Sequence, residues 1–227
     1  MSTDYLKVVY NEERTPKTSY PAKLAGYLSG RFSLKKNGTL LEVGCGRGDF
    51  LLAFKNLGFR CSGIDKELDT ALSSQVELKK TNLESERFPF EDNTFDVVYH
   101  KSVIEHFYSA AHLMKETYRV LKPGGKVVVL TPDWVSQMKV FYEDPTHCRP
   151  YDTTSLADTF AMHGFKNVHA EKFHQLPVAW KFPPIKGIAA FLRIFFSTPA
   201  ARAFSRFTGI KFFRWAVELM VLGVAEK

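Results

Sequence analysis

The 227 residues, 45% hydrophobic and 24% charged, suit one sizeable α/β domain with room for an insertion and exclude a largely disordered chain. Three cysteines, Cys45, Cys61 and Cys148, match no zinc-ligand spacing and fit a reducing, cytoplasmic compartment. "MSTDYLKVVYNEERTPK" has no apolar h-region and no run of about 18 apolar residues exists, so neither a signal peptide nor a spanning helix is expected. The formal charge of +7 is uneven: Lys181, Lys186, Arg193, Arg202, Arg206, Lys211 and Arg214 fall between Pro177 and Arg214 with no Asp or Glu among them, and the rest of the chain is formally neutral.

In chain order, residues 1–18 read as a polar arm of low order. A helix follows from about Ser19, with Pro21 in its first turn, where a missing N–H does no harm. "TLLEV" reads as a strand, "GDFLLAFKNLG" as a helix ending at Gly58, and "RCSGI" as a strand. "KELDTALSSQ" reads as a helix, "VELKKTNL" as a weak strand and "TFDVVYHKS" as a strand. "SAAHLMKETYRVL" is an amphipathic helix, "LKPGG" a turn, and "KVVVLTP" a buried-type strand. "TSLADTFAMHGF" is a helix capped by Thr153 or Thr154, "KNVHAEKFHQ" a strand, and "AVELMVLGVAEK" the last strand. This alternation predicts an α/β fold: a doubly wound, mostly parallel seven-stranded sheet with ligands beyond its carboxyl edge. The core is expected over 19–176, a helical insert over 177–213, and the last core strand within 214–227.

The densest signal is "LLEVGCGRGDF", where Gly44, Gly46 and Gly48 follow a strand and open a helix. Bare backbone there lets a ligand approach closely. The spacing is G-x-G-x-G, and Asp49 stands where the dinucleotide fingerprint has Gly. Asp49 and Glu42 therefore favour a neutral or cationic ligand over a diphosphate. A tight turn serving only helix–strand packing is the plainer alternative.

With "CSGID", "TNLESERFPFEDNTFDVVYHKSVIEH" and "LKPGGKVVV" following in order, the stretch from Leu40 to Val129, with a weaker tail to about Val168, resembles the Rossmann-like (class I) S-adenosylmethionine (SAM)-dependent methyltransferases of type 11/12. The resemblance implies SAM as cofactor, S-adenosylhomocysteine as product, and no metal. It implies that Asp65 holds the ribose diol, a carboxylate having two acceptor oxygens. It places Glu42, Gly44, Cys45, Gly46, Gly48, Lys66, Leu83 and Lys101 around the cofactor. Asn82 stands where the family has Asp facing the adenine amino group; its amide oxygen still accepts that bond, and an ordinary turn residue is the alternative.

Methyl transfer from a sulfonium chiefly needs alignment and exclusion of water, with a base only for a protonated nucleophile. Two segments offer one. In "HKSVIEHF" the resemblance puts the Glu105–His106 pair beside the methionine end of the cofactor, with His106 as a pocket residue. In "YEDPTHCRPYD", similar to a run in bacterial methyltransferases of glycan and surface-polysaccharide pathways, His147 is a candidate base and Asp144, Arg149 and Tyr151 candidate substrate contacts. A self-bonded structural loop is the plainer reading there. His112, His163, His169 and His174 read as surface or packing residues.

Residues 177–213 interleave nine aromatics with the cations. Three readings stay open: a lid over the pocket, a docking surface for an anionic membrane or lipid-linked substrate, or a nucleic-acid surface. The whole reads as a cytoplasmic methyltransferase, with peripheral contact at the inner face of the membrane left open. Its acceptor would be a small molecule, glycan or lipid-linked intermediate, methylated at oxygen. RNA or protein methylation and a non-catalytic SAM-binding module are the rivals.

Overall fold

The computed structural model describes residues 16–68 and 72–227. Seven strands form one sheet in the order β3-β2-β1-β4-β5-β7-β6: β1 Thr39–Val43, β2 Arg60–Asp65, β3 Glu77–Lys80, β4 Phe95–Lys101, β5 Leu121–Pro132, β6 Lys166–His174 and β7 Leu219–Glu226. β1 pairs in parallel with β2 and β4, and β2 with β3; β6 and β7 run antiparallel. The flanking helices are α1 Tyr20–Arg31, α2 Asp49–Asn56, α3 Ala111–Val120, α4 Trp134–Gln137, α5 Thr153–Met162, α6 Pro177–Lys181, α7 Pro184–Phe195, α8 Thr198–Thr208 and α9 Lys211–Val217. The doubly wound, mostly parallel sheet expected from the alternation is therefore present. The described residues divide into two compact units, one of those up to 100 with 112–127 and 227, the other of 101–111 with 128–226.

In the first unit, β1 and β4 are central and buried on both faces, as the apolar side chains of Leu40, Leu41, Val43, Val97 and Val98 on alternate sides allow. Helix α1 starts with Pro in its first turn and buries Leu24, Ala25 and Leu28 on one stripe. At the start of β4, Asp96 accepts from Lys35, Lys122 and the Thr39 backbone N–H. Burial raises its pKa, but these donors outweigh it and hold the carboxyl well below its usual range. β5 begins earlier than expected, at Leu121. The Pro-Gly-Gly segment that reads as a turn is paired instead, Gly124 N donating to Lys227 O and Lys227 N to Gly125 O. The expected arm lies mostly, and the expected helix over 66–75 partly, outside the described residues.

In the second unit, α5 is capped by Asp152, one residue before the expected Thr153 or Thr154. Asp152 accepts from Ser155 N at 2.8 Å, and Ser155 Oγ accepts from Asp152 N at 2.9 Å. A carboxylate that can close this reciprocal box outcompetes a Thr already inside the first turn. Residues 177–217 are helical, α6 to α9, and α7 and α9 meet through Ala189, Leu192, Ala216 and Trp215. No helix among the described residues is long and apolar enough to cross a membrane.

Candidate active site

The first unit holds the glycine loop. β1 ends at Val43, and the chain folds over the end of β2, with Gly44 N and Cys45 N both donating to Ile64 O. Gly48 closes a turn onto Cys45 O and enters α2 with φ +71°; a Cβ there would stand 2.3 Å from Leu72 Cδ1. Gly63 in β2 is equally constrained, because a Cβ would meet Cys45 Sγ, Leu51 Cδ2 and Leu78 Cδ2 at 2.9 Å each. The loop is pressed flat on the sheet because these two positions lack side chains.

Asp65, at the carboxyl end of β2, accepts from Gly46 N at 2.8 Å on one oxygen and from Glu67 N at 3.2 Å on the other. Burial pushes its carboxyl up, and the N–H groups of Gly46, Glu67 and Lys66 pull it back. Each oxygen keeps a second lone pair, so the residue fits a cis-diol as a ligand. Glu42 is buried in β1, in register with Gly63 and Tyr99. Leu83 is buried and Lys66 exposed. Asn82 makes a local turn, its Oδ1 accepting from Glu84 N at 3.1 Å, which leaves one lone pair on that oxygen.

Three features depart from expectation. The amides of Gly44, Cys45, Gly46 and Gly48 are all engaged within the protein. The Cys45 side chain packs into an apolar cluster with Leu51, Leu72 and Val76, and burial pushes its thiol up, so it has no side chain to offer a ligand. Asp49 is paired with Arg47 at 2.7 Å, so the local charge is balanced and Asp49 alone does not exclude an anion.

The second unit carries a separate polar cluster. After β4, Ser102 takes φ +56°, a conformation L-residues rarely adopt, and the chain turns into a 3₁₀ turn, Ile104–His106. The 142–152 loop is tied to it by Cys148 N and Arg149 N, both donating to Glu105 O. These bonds bring Glu105, His106 and His147 together across more than forty positions of sequence. One possible donor atom from each lies within 4.8 Å of the other two.

The tautomers follow from the partners. His147 Nδ1 meets Phe141 O at 2.6 Å, and a carbonyl only accepts, so Nδ1 carries the proton. Thr146 Oγ1 donates to Asp144 at 2.6 Å and therefore accepts from His106 Nδ1 at 2.9 Å. In both rings the lone pair is on Nε2. Burial lowers the pKa of each, so both are neutral at pH 7.

Glu105 is fully buried. Thr131 Oγ1 donates to one oxygen at 2.9 Å; the other, Oε1, has no hydrogen-bond partner among the described residues. Burial pushes this carboxyl up to about 7. Tyr151, 1% exposed, also has a buried hydroxyl without a partner among those residues, and burial pushes it to about 12. Arg149 is exposed and stacks over the Tyr151 ring at 5.5 Å. Asp144 is engaged with Thr146 and stands 4.0 Å from His147 Nε2.

His106, Asp144 and His147 are thus gathered with Glu105, the Glu105 carboxyl acts electrostatically on the buried Tyr151 hydroxyl, and Arg149 is exposed. Glu105 was named in the sequence only for its neighbourhood. Its importance comes from complete burial with one oxygen unmet among the described residues, which no local pattern encodes. Lys101 closes β4 and is half-buried.

A family model described as a methyltransferase domain matches residues 12–170. The chain is 28% identical over 136 residues to the sterol 4-C-methyltransferase strm-1 of Caenorhabditis elegans, covering 53% of this chain and 40% of that protein. It is 35% identical over 107 residues to phosphoethanolamine N-methyltransferase 3 of Arabidopsis thaliana, covering 42% and 21%. The matches thus span two fifths or less of these two relatives' length. Among solved structures, a SAM-dependent methyltransferase from Archaeoglobus fulgidus superposes with a TM-score of 0.65 at 20% identity, covering 99% of this chain and all of that one. Phosphoethanolamine N-methyltransferase 2 of Haemonchus contortus in complex with SAM superposes at 0.68 and 19%, covering 99% and 59%. At these identities the likeness to solved structures is one of fold. The family match over most of the chain carries the assignment: this chain belongs to the class I methyltransferases, a family whose methyl donor is S-adenosylmethionine and whose reaction needs no metal ion.

Proposed function

We propose that this protein methylates a small-molecule acceptor at a hydroxyl group, with a glycan or lipid-linked alcohol as the finer reading. SAM supplies an electrophilic methyl group. In the first unit, Asp65 holds the ribose diol, Glu42 and the glycine loop line the cofactor, Leu83 packs on the adenine face and the Asn82 amide oxygen accepts from the adenine amino group. In the second unit, His147 Nε2 takes the acceptor proton, His106 and Tyr151 position the acceptor, and Asp144 favours the imidazolium that forms.

The observation that carries this reading is that Glu105 Oε1 and Tyr151 Oη are buried without a hydrogen-bond partner among the described residues, with His147, whose Nδ1 carries the proton, gathered beside Glu105. Such groups are costly unless something polar meets them. A neutral amine needs no base once deprotonated, whereas a hydroxyl does, so the cluster supports oxygen. The relatives' names point to phosphoethanolamine nitrogen and a sterol carbon, so the test is a panel. Release of S-adenosylhomocysteine is measured with glycan, lipid-linked, amine and sterol acceptors. Turnover confined to amines, unaffected by His147→Ala, overturns the oxygen reading.

A second reading concerns residues 177–213. Ile188, Phe191 and Phe195 on α7 are 52%, 60% and 67% exposed, and Phe207 on α8 is 90% exposed. Arg206 and Lys211 line a pocket with Arg202 and Arg214. Exposed apolar side chains flanked by cations support docking on an anionic bilayer over a closed lid. Arg202 is not a free cation, since it pairs with Glu218 and Glu143, and Arg214 also pairs with Glu218. Charge reversal therefore belongs at Arg206 and Lys211. Co-sedimentation with phosphatidylglycerol vesicles, lost in the double Glu variant, is the expected result; equal sedimentation with pure phosphatidylcholine refutes it.

A further inference from the structure

We propose that Glu105, His106 and His147 form a binding site for a divalent transition ion, zinc by its donor set. The three come from two segments and offer one donor atom each within 4.8 Å of the others. Tetrahedral zinc ligands at about 2.1 Å from the metal stand about 3.4 Å apart, so each donor closes by no more than about an ångström. Two imidazole nitrogens and one carboxylate suit zinc over magnesium or calcium, which take oxygen ligands.

Electrostatics and orientation point the same way. Both Nδ1 atoms are donors in existing bonds, so Nε2 is the atom of each ring whose chemistry suits a metal. Glu105 adds a fully buried carboxylate oxygen that no donor meets among the described residues. A bound cation would favour the ionised form of Glu105, and Asp144 already stands 4.0 Å from His147. Each ligand is also held from behind: His147 by Phe141 O, His106 by Thr146, which Asp144 fixes in turn, and Glu105 by Thr131. Outer partners of this kind are what set the orientation of metal ligands.

Methyl transfer needs no metal, so an ion here would act as an inhibitor by occupying the His147 lone pair; that consequence alone rests on the function proposed above. The test uses the untagged full chain, stripped with EDTA and titrated with zinc chloride by calorimetry. One equivalent should bind. His106→Ala and His147→Ala should each weaken binding at least tenfold, and Thr146→Val, which touches no metal, about 10- to 100-fold. Cys148→Ser should leave it unchanged, which separates this site from a thiol site. Cobalt provides a second measurement on the unaltered protein: a visible ligand-field band that zinc abolishes. No binding at micromolar zinc, or undiminished binding in the His106→Ala/His147→Ala double variant with a normal melting curve, overturns the site. One bound equivalent that leaves turnover intact upholds the site and instead removes His147 as the base.

Discussion

Replacing Asp65 by Ala should cost SAM binding roughly 2–3 kcal/mol, the worth of two charge-assisted hydrogen bonds to a diol. At about 1.4 kcal/mol per tenfold change, Kd rises roughly 30- to 150-fold. The structure adds a second loss. Asp65 accepts from Gly46 N at 2.8 Å and Glu67 N at 3.2 Å, so its removal also strips two backbone donors of their acceptor, one in the glycine loop and one just after β2. Asp65→Asn keeps one carbonyl oxygen and should fall between wild type and Ala. Calorimetry with SAM and S-adenosylhomocysteine measures affinity, and a urea titration measures folding separately. The two ligands share the ribose, so both must weaken by the same factor. Unchanged affinity in Asp65→Ala, or a loss for SAM alone, would refute the assignment of the diol to this carboxylate.

Gly48→Ala puts a side chain at φ +71° and 2.3 Å from Leu72 Cδ1, so about 1–3 kcal/mol of stability should be lost, whereas Gly26→Ala, in open space within α1, should gain up to about 1 kcal/mol. A denaturant midpoint that moves the same way in both would contradict the loop geometry. His147→Ala should lower turnover by about 10²-fold or more with little change in SAM affinity; equal losses in both would make the residue structural. His100 is fully buried, and burial lowers its pKa to about 3, so below about pH 6.5 the unfolded chain takes up a proton that the folded chain does not. Its contribution to stability is complete above pH 6.5 and declines toward pH 3 at up to about 1.4 kcal/mol per pH unit. His100→Gln should flatten urea stability measured from pH 7 to 5, and an identical slope in both proteins would count against a neutral buried imidazole. Arg202→Ala leaves Glu218, 3% exposed, with only Arg214 and should destabilise by about 1–3 kcal/mol; a melting temperature within a degree of wild type would mean the pair contributes nothing.

Much of the fold was legible in the chain because its signals are local. β1, α2, β2, β4, α3 and β6 lie within a few residues of where periodicity and punctuation put them, since apolar spacing, Pro21 in a first turn and the glycines act over one or two turns of backbone. Where the reading slipped, a distant partner decided: Lys227 pairs the Pro-Gly-Gly segment into β5, and Ser155 closes a box that makes Asp152 the cap. The ordered motifs from Leu40 to Val129, the glycine loop and Asp65 among them, pointed to the family without coordinates. That Cys45 faces an apolar cluster, that Asp65 clamps Gly46, and that Arg202 is paired rather than free needed the tertiary structure. So did the meeting of Glu105 with His106 and His147. Sequence specifies which groups can ionise or donate, but burial and the partner on each lone pair are set by segments folded from far apart, and those decide what a group can do.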